Sequence, residues 1–265
     1  MLGAIIGAIA GSCYEFRPTN NYNFEMFGPE ADFTDDTICT IGIADAILNS
    51  RDYGESLHQW CRRYPEPKGA YGGHFLGWVN SDRPKPYGSF GNGSAMRVSP
   101  AGWAFNSREE VLVQAKKTAE CTHNHPEGIK GAQTVALAIF EARKRRHSKP
   151  SLDNVDIESI IKACIDFSGY SLDFTLRSVQ NKFNETCQGT VPVALWLIAQ
   201  SSGFEDAVRK AVCLGADADT LGAITGSIAE AIWPVPEELK AKAMTYLSNE
   251  MKDVVKAFYA RYISL

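Results

Sequence analysis

The sequence predicts an all-α protein folded as a single domain over residues 1–265. Three observations carry that expectation. Apolar residues recur at helical spacing through most of the chain, strand-type alternation is never sustained, and no Ser/Gly-rich tract or internal repeat divides it. At 45% apolar and 22% charged residues, the composition is that of a soluble globular chain able to bury a sizeable core.

Taken in order, the first segment is "GAIIGAIAG", where Gly and Ala recur at roughly helical spacing and predict a closely packed helix; "GAITGSIAEA" near the other end does the same. The apolar start looks like part of an export signal, but it lacks a basic region and acidic Glu15 follows at once, so a cytoplasmic protein is expected. In "DDTICTIGIADAILNS" Ile38, Ile41, Ala44, Ile47 and Leu48 fall on one helical face. "SREEVLVQAKKTAECT" opens with Ser107 and Glu110 at capping-box spacing and runs on as a helix. Further helices are expected near 127–146, 155–167, 188–201, 203–214, 220–232 and 237–262, the last of them broken. The basic run "ARKRRHSK" ends one of these patterns, where cations complement the helix dipole at a solvated terminus. Residues 16–34 and 64–95 are rich in Gly, Pro, Asn and aromatics and are expected as long, functional loops.

Several function classes are disfavoured. The net charge of −4, with no basic face, argues against a duplex nucleic-acid partner, and no stretch is apolar enough to span a bilayer. The seven cysteines are scattered and form no C-x-x-C, which predicts reduced thiols rather than disulfides or zinc.

The chemistry concentrates in two acidic stretches. "DFTDDTICT" sets three carboxylates within five residues; Thr34 could cap the following helix, with Asp35 and Asp36 in its first turn. "LGADADTLGAITG" repeats the arrangement with Asp217, Asp219 and Thr220 before another helix. Capping explains either stretch alone. If both helix starts converge, the carboxylates would repel one another unless hard divalent cations, which choose oxygen ligands, neutralised them. "YGSFGNGSAMR" is a Gly-dense loop whose backbone N–H groups could approach phosphates, with Ser89 and Asn92 adding donors. "CTHNHPEG" sets His123 and His125 between two helical patterns, as ligand contacts or as structural histidines.

From "MLGAIIG" through "GSCYEF", "FTDDT", "YGSFGNGSAMR" and "THNHPEGIKGA" to "LGADADTLGAITG", the chain resembles the ADP-ribosylglycohydrolases of the dinitrogenase-reductase-activating glycohydrolase and crystallin J1 type. The resemblance spans nearly the whole chain, and it implies a compact helical bundle around a binuclear metal cleft. It further implies two Mg²⁺ or Mn²⁺ ions ligated by Thr34, Asp35, Asp36, Asp217, Asp219 and Thr220. Glu15, Asp35 and Asp36 are implied as catalytic. Gly88, Ser89, Phe90, Gly91, Asn92 and His123 are implied as substrate-binding, the Gly-rich loop meeting the phosphates and Phe90 the nucleotide. The implied reaction is metal-dependent hydrolysis of the glycosidic link between ADP-ribose and an acceptor, a modified protein or a small ADP-ribose conjugate. One departure stands out: relatives commonly carry Asp where this chain has Ala8. The alternative expectation is therefore a weak or inactive ADP-ribose-binding protein on the same scaffold.

Overall fold

The computed structural model describes residues 1–148 and 156–263. Among these, β-type pairing is limited to two isolated bridges, Thr34 with Lys68 and Gly91 with Thr186. The helices are α1 (Leu2–Gly11), α2 (Asp35–Asn49), α3 (Tyr53–Arg63), α4 (Gly73–Asn80), α5 (Gly93–Met96), α6 (Ser99–Ala104), α7 (Arg108–Glu120) and α8 (Pro126–Ser148). They continue with α9 (Ile157–Ser168), α10 (Leu176–Val179), α11 (Cys187–Ala199), α12 (Phe204–Val212), α13 (Ala218–Ile232), α14 (Glu237–Tyr246) and α15 (Asn249–Phe258), which ends in a π turn, Tyr259–Ile263. The fold is all-α, as the sequence predicts, and none of the described helices is long and apolar enough to cross a membrane.

The centre is an antiparallel pair, α1 against α13, the most extensive helix contact in the molecule. Every residue of both helices is buried. Three glycines of α1 face α13 four residues apart. A Cβ on Gly3 would stand 2.2 Å from the Gly226 carbonyl oxygen, one on Gly7 2.0 Å from that of Gly222, and one on Gly11 2.3 Å from that of Ala218. Backbone therefore lies directly on backbone, a separation that no side chain tolerates. Helices α8, α11 and α12 pack around α13, and α2 and α14 flank α1.

Most expected elements are present with small shifts at their ends, and their caps explain where they start. Ser107 accepts from the Glu110 amide at 3.1 Å, the first half of the expected capping box. Thr186 does the same for α11 through Gly189, and Asp156 for α9 through Ser159. The expected C-terminal helix is two: Leu247 is extended, and Ser248 restarts the chain by capping α15 through Met251. The first residue of the 155–167 expectation and Lys149, which ends the basic run, lie outside the described residues.

The loop expected over 64–95 is interrupted by α4, whose Phe75, Trp78 and Val79 are buried. Glycines at 72, 73 and 77 disguise it in the sequence, because glycine opposes helix unless tertiary packing overrides it. Helix α3 is an amphipathic element the periodicity reading passed over; it buries Leu57, Trp60 and Cys61.

The glycine contact yields a direct test. Gly7→Ala must push α1 away from α13 and should cost about 3 kcal/mol or more in chemical denaturation. Gly28→Ala, whose added Cβ would meet nothing closer than 3.9 Å, should stay within about 0.5 kcal/mol of the parent.

Candidate functional site

The two acidic helix starts meet. Thr34 and Asp217 occupy the N-cap positions of α2 and α13, yet neither side chain makes a capping hydrogen bond. Thr34 Oγ1 instead donates to Asp36 Oδ2 at 3.0 Å, and Thr220 Oγ1 lies 3.5 Å from the same oxygen. Capping thus fails as an explanation of either stretch. Asp32, the third carboxylate of its group, stays outside and accepts from the Phe33 amide at 2.8 Å.

Asp35, Asp36 and Asp219 bring carboxylate oxygens within 4.8 Å of one another, and Glu15, Asp217 and Asp219 form a second such group. Asp219 belongs to both. Asp36 and Asp219 are buried, and one oxygen of each, Oδ1, has no hydrogen-bond partner among the described residues. Leaving a buried carboxylate oxygen bare costs free energy unless a cation takes its place. The backbone explains the convergence. The antiparallel α1–α13 contact sets the end of α1 beside the start of α13, so Glu15, four residues beyond α1, reaches Asp219.

Charge accumulates here beyond what two helix N-termini offset. Burial, reinforced by the neighbouring acids, holds Asp35, Asp36 and Asp217 well above the usual carboxylate range, and burial raises Asp219 as well. Glu15 is pushed up to about 8 by burial, then by Asp219 and Glu185. The donor set is all oxygen. It fits hard divalent cations such as Mg²⁺ or Mn²⁺ and offers nothing a softer metal would prefer.

Glu15, Asp35, Asp217 and Asp219 line a cleft of about 400 Å³, while buried Asp36 and Thr34 stand outside its lining. Tyr71, His74 and Phe75 line it from the segment that leads into α4, and Ser89, Gly91, Asn92 and His123 from the Gly-rich loop and the turn after α7. Not every expected binding residue faces inward. Gly88 and Phe90 stand outside the lining. Gly88 donates its amide to Asn124 Oδ1 at 2.7 Å, and the exposed Phe90 ring lies tilted on His125 with centroids 5.2 Å apart. Asn92 lines the cleft, but its amide group is committed. It donates to Asp217 Oδ2 at 2.7 Å and to Thr190 Oγ1 at 3.1 Å. Its side chain therefore holds an acid in place, because a buried amide already bonded twice has little left for a ligand. Sequence reasoning passed over Glu185 on the rim, Thr122 beneath His123, and Arg97, the last residue of the quoted Gly-rich loop.

Glu15 rests on Gly69, whose φ is +85°; a Cβ there would lie 2.5 Å from Glu15 Oε2. Gly69 satisfies a left-handed backbone and a close approach at once.

Residues 1–263 match the family described as ADP-ribosylglycohydrolase. The chain belongs to that family. A curated relative, the ADP-ribosylarginine hydrolase Tri1 of Pseudomonas putida (strain GB-1), is 24% identical over 89% of this chain and 70% of its own length. The ADP-ribosylhydrolase ARH3 of Danio rerio is 23% identical over 98% of this chain and 90% of its own. A solved structure titled an ADP-ribosylglycohydrolase-related protein complex superposes with a TM-score of 0.71 at 25% identity, covering 98% of this chain and 95% of that one. The family makes the chain an ADP-ribosyl hydrolase.

Ala8 is buried with Ala4 and Ala223 in the α1–α13 seam and is not among the lining residues.

Burial of these acids has a consequence for stability. Because their folded pKa values are raised, the metal-free folded state binds more protons than the unfolded chain, so its stability falls as pH rises. The window runs from the ordinary carboxylate range to about 8, the value for Glu15. Melting temperature in EDTA should drop across that window. Added Mg²⁺ or Mn²⁺ should raise it, more so at the alkaline end, where protons no longer compete for the oxygens.

Proposed function

We propose that this ADP-ribosyl hydrolase is metal-dependent. It cleaves the bond between the anomeric carbon of ADP-ribose and an acceptor, on an ADP-ribosylated protein or a small ADP-ribose conjugate. The observation that carries the reading is the pair of bare, buried oxygens, Asp36 Oδ1 and Asp219 Oδ1, of which Asp219 lines a cleft that also takes in the Gly-rich loop. Thr34, Asp35 and Asp36 from one helix start, with Asp217, Asp219 and Thr220 from the other, would hold two Mg²⁺ or Mn²⁺ ions. When bound, such ions supply positive charge that offsets the carboxylates and polarises oxygens brought against them.

The remaining work falls to the chain. Asp35, half-buried in the cleft lining, is assigned to orienting a water and accepting its proton, while Asp36 sits deeper, outside the lining. Glu15, delivered from the opposite side, is assigned to the proton at the leaving atom. Ser89, Gly91 and His123 form the wall that would receive the diphosphate, and Phe90 on the rim is assigned to the nucleotide side. Acceptor choice belongs to the segment that carries Tyr71, His74 and Phe75, and to the rim around Phe16 and Glu185.

Release of ADP-ribose should be measured on arginine-, serine-, glutamate- and nucleic-acid-linked substrates side by side, in EDTA and in Mg²⁺ or Mn²⁺. Release should require the ion, and Asp35→Ala combined with Asp219→Ala should lower it by more than about 100-fold. Release untouched by EDTA or by that double substitution would refute the site. Glu15→Ala should reduce turnover more than ADP-ribose binding. Asn92→Ala, which frees Asp217, should weaken metal affinity by about 10–100-fold in a calorimetric titration.

A further inference from the structure

Arg97 is an anomaly. It is only 1% exposed, yet among the described residues no carboxylate pairs with it. Its Nη2 donates to the Thr118 carbonyl at 2.9 Å and to Thr122 Oγ1 at 2.7 Å, with the Cys121 sulfur 3.7 Å away; Nε has no partner. A buried guanidinium is costly, so what it touches matters.

Thr122 Oγ1 also lies 2.6 Å from His123 Nδ1. The proton inventory of this chain of three decides its direction. Arginine donates and never accepts, so Thr122 Oγ1 is the acceptor from Nη2. The threonine has one proton and is fully buried; beyond Arg97 and His123, its side-chain neighbour among the described residues is the Cys121 sulfur, a weak acceptor. That proton is well satisfied at Nδ1; a protonated Nδ1 would leave it only the weakly accepting sulfur, at the cost of a poorly met buried donor. Nδ1 is therefore bare, and the ring proton sits on Nε2. Burial, then the nearby Arg97 charge, also keeps His123 well below its usual range, in keeping with a neutral ring.

Nε2 points at the Gly-rich loop. A Cβ on Gly93 would lie 3.2 Å from it and one on Gly91 3.4 Å, so side chains at either position would crowd the N–H. The ring bonds to the protein through Nδ1 alone and lines the cleft.

We propose that Arg97, acting through the Thr122 hydroxyl, locks His123 in the Nε2–H tautomer, so that His123 presents a fixed hydrogen-bond donor to an anionic oxygen in the cleft. Arg97 and Thr122 are positioning residues. The opposite tautomer would turn a lone pair toward that oxygen and repel it. The diphosphate as the acceptor rests on the function proposed above; the tautomer does not, being a property of the protein alone.

The test is imidazole ¹⁵N–¹H correlation NMR on the full-length protein at neutral pH, where protonated and bare ring nitrogens resonate apart. The wild type should show Nε2 protonated and Nδ1 bare. Thr122→Val, nearly isosteric, should yield mixed tautomers and weaken ADP-ribose binding by about fivefold in calorimetry, with Thr122→Ser restoring both. Arg97→Met should mix the tautomers in the same way; should it fail to fold, the wild-type and Thr122 spectra decide alone. Nδ1 protonated in the wild type, or Nε2–H unchanged in Thr122→Val, would overturn the assignment. Nε2–H in a wild type that binds no ADP-ribose would uphold the tautomer and overturn the diphosphate as its acceptor.

Discussion

The contact of α1 with α13, backbone on backbone, is the constraint on which the rest of the molecule depends. Gly3, Gly7 and Gly11 face Gly226, Gly222 and Ala218 closely enough that no side chain fits between them. An antiparallel pair in register necessarily sets the end of one helix beside the start of the other. Here that places Asp217 and Asp219 next to the exit of α1, from which Glu15 departs. The small residues fill the core and also set the spacing of the acids.

The cleft is expensive for the fold. Five carboxylates, from Glu15, Asp35, Asp36, Asp217 and Asp219, converge where burial disfavours their charge, and the oxygens left bare have no protein partner. Helix N-termini and Asn92 recover a little of this, Asn92 through its bond to Asp217. A core of aliphatic side chains in the same space would be more stable. Conflict between local chemistry and stability at a single place is what a site for an external charge requires.

Much of this was legible in the chain. Helices such as α2, α7, α8 and α13 announce themselves through periodicity and caps, and the residues of the acidic floor could be named. What the sequence could not separate was Thr34 as a cap from Thr34 as part of the site, because both uses want an oxygen at a helix start; only the missing cap bond decides. Helix α4 was hidden by its own glycines, since the burial of Phe75 and Trp78 that sustains it comes from packing on each other, on Tyr71 and on α3. Asn92 reads as a loop donor until Asp217, 125 residues away, is seen against it. Likewise, nothing in the order Arg97, Thr122, His123 discloses a chain of hydrogen bonds; the fold assembles it.

The seat of Glu15 on Gly69 shapes how this scaffold could diversify. Loop 64–72 carries Gly69 and Tyr71 of the cleft lining and is pinned to the start of α2 by the bridge between Thr34 and Lys68. Its other positions can change in size and polarity to suit a new leaving group. Position 69 cannot, since any β-carbon there would evict the acid from its perch. New specificities would arise by redecorating the loop around one glycine that keeps its place.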